Sequence, residues 1–298
     1  MKYATPGAFR TALEQRLRTT AREADLPVIR LRKLVVFERL LARLLIVAPD
    51  RWLLKGALAL DLRLGGRSRT TKDMDLARDD DDEAAATDLL AAQAVNLGDY
   101  FTFAIERTGR LDAALEGAAV RYHVAAALDG RPFEDVIVDI GFADSLTTVP
   151  EVLRGPDLLR FAAIDPIAVP AVPIEQHVAE KVHAYTRMYV GDRRSSRVKD
   201  LIDLVLIRSA IAFEADRIQG ALRATFAQRG THPLPAALPL PPADWGPAYR
   251  RLAREVGIDP DLRTGFAVTA TFLDPILAGT VSDRARWEPL HGAWEEPN

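Results

Sequence analysis

The sequence predicts an α+β fold, a mixed sheet with helices packed on it followed by a mainly helical second half. Three patterns predict it. Apolar residues recur at helical spacing near the start of the chain, with Leu34, Val35, Phe37, Leu40, Leu41 and Leu44 on one stripe. Short apolar or alternating segments suited to strands then follow between turn residues. Beyond Pro166 the alternation gives way to helical periodicity.

In chain order, Thr11 to Val47 reads as helices, with Arg39 and Arg43 expected on the face opposite the apolar stripe. Pro49-Asp50 turns the chain. Trp52 to Lys55 is short, apolar and followed by Gly56, as a buried strand would be. Ala57 to Leu64 reads as a helix stopped by Gly65-Gly66, and Asp73 to Ala77 as the next strand. The acidic run Asp79 to Glu83 reads as helix-start acids on a solvated face, ahead of an Ala-rich helix reaching about Leu97. Phe101 to Glu106, Ala118 to Leu128 and Glu134 to Phe142 alternate as three strands, with Gly130-Arg131-Pro132 as a turn. Ile174 to Ala212 is helical in pattern, broken near Gly191. The five prolines between His232 and Pro242 bar helix, and the interleaved Leu234, Leu238 and Leu240 predict an ordered loop. Trp245 to Val256 and Gly265 to Leu273 read as helices. A boundary is expected near residue 160, giving domains 1–160 and 161–298.

Asp73 and Asp75 are the first chemical signal. At i and i+2 on a strand, their carboxylates face the same way, about 7 Å apart. Such a pair can share hard cations such as Mg²⁺, with triphosphate oxygens completing the coordination. Asp139, a single acid in Val136-Ile137-Val138-Asp139-Ile140, is the candidate third ligand, because burying it without a partner or a metal is costly. Cations held this way activate an attacking hydroxyl and stabilise leaving pyrophosphate. D-x-D alone is also a common turn cap or solvated edge. Here it follows Lys55-Gly56 and a helix, an arrangement in which backbone amides and a helix N-terminus suit phosphate.

Two readings stand for Lys181, which lies beside an apolar stripe in Glu180-Lys181-Val182-His183-Ala184. Its head snorkels into water, or it serves as a point charge on triphosphate. Asp203 likewise either bridges Arg197 or Lys199, or orients Lys181 or the nucleotide. Arg187, Arg193, Arg194, Arg197 and Lys199 form a basic stretch, equally a solvated loop or a surface for RNA backbone. His183, inside an apolar helix, is read as a core residue.

The 298 residues contain no cysteine, which excludes disulfides, thiolate metal sites and a cysteine nucleophile. The net charge of −3 rules out a general polycation, so nucleic-acid contact would require a local basic surface. No apolar run is long enough to span a bilayer, so no membrane partner is expected. The first residues lack the apolar core of a secretory signal, and a cytoplasmic location is expected.

Four segments together resemble the AbiEii-type nucleotidyltransferase toxins of type IV-like toxin–antitoxin systems, a family that includes the mycobacterial MenT toxins. They are Lys55 to Arg63, Arg69 to Leu76, Glu180 to Ala184, and Arg197 to Leu204. The resemblance runs from about residue 30 to about 245, in matching order and spacing, and extends to the proline-rich stretch after His232. It implies a DNA polymerase β-like nucleotidyltransferase core joined to a helical domain that completes the active-site cleft. It also implies Asp73 and Asp75 as metal ligands, Lys181 on the nucleotide phosphates and Asp203 completing the site, with Lys55, Gly56, Thr71 and Lys72 in the nucleotide-binding segments. Mg²⁺, with Mn²⁺ as a substitute, and an NTP are the expected cofactor and substrate. Transfer of an NMP to the tRNA 3′ end, blocking translation, is the expected activity, by a monomer with a cognate antitoxin. Where the family often has Gly-Gly-Thr or Gly-Ser, this chain has Gly56-Ala57-Leu58, so a hydroxyl is missing there and Thr70 or Thr71 stands as its replacement. The alternatives are nucleotidylation of a protein hydroxyl and a non-catalytic nucleotide- or RNA-binding module on the same fold.

Overall fold

The computed structural model describes residues 1–111, 119–142, 149–189, 193–194 and 197–296. The chain divides into two compact units, one built mainly from residues up to Val172 and one from Pro173 onward, with Arg67–Arg69 belonging to the second.

The first unit begins with α1 (Pro6–Glu23) and α2 (Val28–Val47), followed by β1 (Leu53–Lys55), α3 (Gly56–Arg63), β2 (Asp73–Ala77) and α4 (Asp82–Ala94). Then come β3 (Phe101–Leu111), β4 (Ala119–Leu128), β5 (Arg131–Gly141), β6 (Glu151–Arg154) and β7 (Ala168–Ala171). The seven strands form one sheet in the order β3-β4-β5-β2-β1-β7-β6. β2 runs parallel to β5 and β1 parallel to β7, while the remaining pairs are antiparallel. The sheet is therefore mixed, and the α+β class expected from the sequence is the observed one.

Strand alternation decides which residues meet the helices. Met74 and Leu76 on β2, Val138 and Ile140 on β5, and Val120, Tyr122 and Val124 on β4 are buried with Phe9, Leu13, Phe37 and Leu41 of α1 and α2 in one core. The intervening residues, Asp73, Asp75, Asp139 and Arg121 among them, lie on the other face of the sheet and are half-buried.

The structure differs from three of the sequence expectations. Arg39 and Arg43 are buried rather than solvent-facing, because α2 is covered around its middle turns and exposed only near its ends, at Ile29 and Ile46. Asp99 makes this tolerable: Arg43 Nη1 and Nη2 donate to its two oxygens at 3.0 and 2.7 Å, and further Arg43 hydrogens reach the carbonyls of Val95, Phe101 and Arg39. A buried guanidinium with its donors this well matched avoids most of the cost of an unpaired charge. The turn placed at Gly130-Arg131-Pro132 lies one residue earlier, at Asp129-Gly130, where φ is 57° and 64°. Two successive positive φ values suit a two-residue hairpin, and Arg131 and Pro132 already belong to β5. The acidic run is also more engaged than a solvated face. Asp81 caps α4, Asp80 pairs with the buried Arg78, and Asp82 pairs with Arg107.

Glu38 is a buried carboxyl on α2. Burial pushes it up from 4.5 to about 7, against the opposing pull of Arg39 and of the Ile167 backbone N–H. Below about pH 4.5 both folded and unfolded chains hold this proton, so burial costs nothing. Between 4.5 and 7 the unfolded chain ionises first, and stability falls by up to about 3 kcal/mol. Glu38→Gln is therefore expected to stabilise the protein at pH 8 by roughly that amount and to change little at pH 4.5. Urea unfolding at the two pH values checks this; an equal effect at both would refute it.

The second unit contains α5 (Ile174–Thr186), β8 (Met188–Tyr189), β9 (Arg193–Arg194), α6 (Val198–Ala210), β10 (Phe213–Glu214), α7 (Ala215–Arg229), α8 (Gly246–Val256), α9 (Leu262–Leu277), β11 (Arg286–Glu288) and β12 (Ala293–Glu295). It is mainly helical, with a small β10-β11-β12 sheet. The break expected near Gly191 lies outside the described residues. The proline-rich stretch is a loop tied down by Tyr185 Oη donating to the Pro239 carbonyl at 2.8 Å and by the Leu238 N–H donating to Asp274 at 2.8 Å. Among the described residues, no helix is long and apolar enough to cross a membrane.

Candidate active site

In the first unit, strand register arranges the carboxylates. Asp75 on β2 stands directly opposite Asp139 on β5, and Asp73 lies two residues earlier on the same face of β2. Lys55 on β1 is opposite Asp75 on its other side, and Arg121 on β4 is opposite Asp139. Four neighbouring strands thus carry a transverse row, Lys55, Asp75, Asp139, Arg121, with two anions flanked by two cations. Directly opposed residues in a sheet share a face, so all four side chains of the row project together.

Arg121 is engaged with Asp139 in a two-pronged pair. Nε donates to Oδ1 at 2.8 Å and Nη2 to Oδ2 at 2.7 Å. Gly56 supports the row from the start of α3. Its φ is +65°, and a Cβ placed there would fall 1.9 Å from Asp75 Oδ2 and 2.6 Å from Cγ. The glycine therefore does more than permit a tight turn, since its missing side chain is the space that the Asp75 carboxylate fills. Thr71 is drawn into the backbone at the start of β2, its hydroxyl donating to the Asp73 carbonyl at 2.9 Å. Lys72 is exposed and Lys55 half-buried.

In the second unit, Lys181 is buried, and its head is not in water as the snorkelling alternative required. Nζ donates to Asp203 Oδ2 at 2.6 Å and to Asp200 Oδ1 at 3.3 Å. Asp203, fully buried, also accepts from Arg69 Nε at 3.1 Å and Nη2 at 3.2 Å. Burial alone would push the Lys181 ammonium down, but Asp203 and Asp200 outweigh it and hold it above the ordinary lysine range. Burial pushes Asp200 up against the pull of Lys181 and Arg197, and its Oδ2 has no hydrogen-bond partner among the described residues. The shorter contact identifies Asp203 as the main counter-ion of a charged Lys181.

Arg69 and Asp200 were missed as site residues, although both lie inside the segments that carried the sequence signal. His183 belongs to a packed cluster. Its Nε2 lies 2.8 Å from Thr231 Oγ1 and its ring meets Phe226 edge-on. Burial, with His232 close by, pushes His183 down to about 4, which makes it neutral near pH 7. Of the basic stretch, Arg197 is half-buried and Lys199 exposed, whereas the side chains of Arg193 and Arg194 lie outside the described residues.

The all-oxygen donors Asp73 and Asp75, with a cradle at Gly56 that only a glycine allows, suit a hard divalent cation. Asp139 adjoins them but is turned onto Arg121, and among the described residues no three acidic or histidine side chains converge at metal-ligand spacing.

The family model described as "Nucleotidyl transferase AbiEii toxin, Type IV TA system" matches residues 39–271. No curated protein sequence matches the chain. Among solved structures, the chain is similar to MenT4, nucleotidyltransferase toxin Rv2826c from Mycobacterium tuberculosis H37Rv, at 20% identity and a TM-score of 0.49, over 84% of this chain and 92% of that one. It is also similar to JHP933 from Helicobacter pylori, at 16% identity and a TM-score of 0.46, over 83% of this chain and 94% of that one.

Proposed function

Because the chain belongs to the AbiEii nucleotidyltransferase toxin family of type IV toxin–antitoxin systems, we propose that it transfers an NMP from an NTP to the 3′ hydroxyl of tRNA and so blocks translation. The observation that carries this reading is the carboxylate face of β2, where Asp73 and Asp75 project side by side and Asp75 fills the space left by Gly56.

Asp73 and Asp75 would hold the divalent cation, taken as Mg²⁺ with Mn²⁺ as a substitute, and Asp139 adjoins them as the third candidate ligand. A bound cation supplies Lewis-acid chemistry, easing loss of the acceptor proton and neutralising triphosphate charge. The acceptor hydroxyl gives its proton to solvent as its oxygen bonds to the α-phosphorus, the bond from that phosphorus to the bridging oxygen breaks, and pyrophosphate leaves. Lys181 is assigned the nucleotide phosphates. Asp203, itself braced by Arg69, fixes the direction of the Lys181 ammonium, as preorganised charge stabilisation requires. Lys55, Gly56, Thr71 and Lys72 complete the nucleotide-binding segments. Thr71 acts there through the backbone at Asp73, because its hydroxyl proton is already committed. Arg197 and Lys199, with Arg193 and Arg194, are the basic residues for RNA backbone. Family membership implies an antitoxin partner; a monomeric, cytoplasmic protein completes the reading.

The test is incubation with each labelled NTP, Mg²⁺ and total tRNA. Label is expected in intact tRNA and not in periodate-treated tRNA, which lacks the terminal diol. Label entering protein instead would replace the tRNA acceptor with a protein hydroxyl, and Mg²⁺-dependent NTP binding without any transfer would indicate a binding module.

A further inference from the structure

Asp75 and Asp139 face each other on adjacent strands, and like charges directly opposite destabilise a sheet. The structure meets this with a cation at each end of the row, Lys55 beside Asp75 and Arg121 beside Asp139. The Arg121 end has well-defined geometry. Both guanidinium donors lie within 2.8 Å of the two Asp139 oxygens, so the carboxylate is turned toward β4 and away from β2. The pair is not deeply buried, Arg121 being 38% and Asp139 13% exposed at the side chain. The two-pronged geometry makes it stronger than a simple surface pair, while the more exposed guanidinium has an outward path when a stronger cation arrives.

We propose that Arg121 is the resting counter-ion of Asp139 and that a divalent cation held by Asp73 and Asp75 competes with it for that carboxylate. The inference rests on the reading of these two aspartates as a cation site. A carboxylate has about four lone-pair directions, and a two-pronged guanidinium uses two of them, one on each oxygen. The competition is therefore electrostatic rather than absolute. With Arg121 in place, an incoming divalent ion meets a positive charge beside its third ligand. Without it, Asp139 loses its counter-ion while facing Asp75, and a cation between the two carboxylates gains the attraction that Arg121 had taken up. Arg121 is on this account a positioning residue that sets how tightly, and in what order relative to other ligands, the cation is taken up. No sequence signal marked it. An arginine at an alternate position of a strand looks like any solvated residue until register places it beside Asp139.

The experiment is titration of nucleotide-free protein with Mn²⁺, followed by electron paramagnetic resonance. Arg121→Gln removes the charge at a partly exposed position, and circular dichroism of the metal-free variant checks that it is folded before the titration. It is expected to bind Mn²⁺ at least about tenfold more tightly than wild type, the floor set by one unit charge acting on a divalent ion a few ångströms away at the dielectric of water. Adding Asp139→Asn to Arg121→Gln is expected to remove that gain. Equal or weaker binding by Arg121→Gln overturns the competition, as does a gain that survives loss of Asp139. The underlying reading fails differently: if Asp75→Asn leaves wild-type Mn²⁺ binding unchanged, the row is no cation site and this inference falls with it.

Discussion

Asp75→Asn is expected to reduce nucleotidyl transfer by about a hundredfold to a thousandfold, the scale of losing preorganised charge stabilisation from a transfer site. The variant should remain folded. Asp75 sits at the centre of the transverse row, opposite Asp139 on one side and Lys55 on the other. Asparagine keeps the shape that fills the Gly56 cradle and loses only the charge. Removing one of two directly opposed carboxylates relieves their repulsion, so unfolding stability should stay level or rise slightly. That combination separates a chemical role from a structural one. A collapse in both activity and stability would indicate that Asp75 merely holds the sheet together, whereas a variant retaining near wild-type transfer would remove Asp75 from the chemistry. Labelled-NTP transfer and urea unfolding on the same preparation give both readings.

Much of this is legible in the sequence, for physical reasons. Asp73 to Ala77 shows on its own that alternate residues differ, with acids at one parity and Met74 and Leu76 at the other, and the structure adopts that strand at the same bounds. Helix α2 was legible as a helix but not as a buried one. Periodicity reports an apolar stripe, yet Arg39 and Arg43 are buried by a partner, Asp99, that lies far along the chain. β6 and β7 are four residues each, and β7 contains Pro170, so neither offers enough alternation to register. α7 carries Gly220 in its interior, which weakens the helical signal. At the site, residue type pointed to Asp73, Asp75, Lys181 and Asp203. The network around Lys181 and the partnership of Asp139 with Arg121 depend on which elements pair and in what register, and a single sequence does not contain that information in local form.

Gly56→Ala is the second change expected to have a large effect, and it tests whether the position of the Asp75 carboxylate matters as well as its charge. At φ +65° an alanine carries a left-handed penalty of about 1–2 kcal/mol. Its methyl would also lie 1.9 Å from Asp75 Oδ2 and 2.8 Å from Asp75 Cβ, a separation at which the carboxylate must swing out of its place. Transfer should fall about a hundredfold or more, since misplacement of a catalytic group by about 1 Å costs on that order. Backbone strain alone does not predict this loss, and Gly65 isolates the difference. Its φ is +60°, yet nothing lies within 4 Å of a Cβ built there. Gly65→Ala should therefore show a similar loss of stability with wild-type transfer. Loss of activity in both variants would make strain in this segment the cause, and retention in both would show that the carboxylate tolerates displacement. Only Gly56→Ala inactive beside Gly65→Ala active fits a glycine whose purpose is to leave room for a metal-binding oxygen.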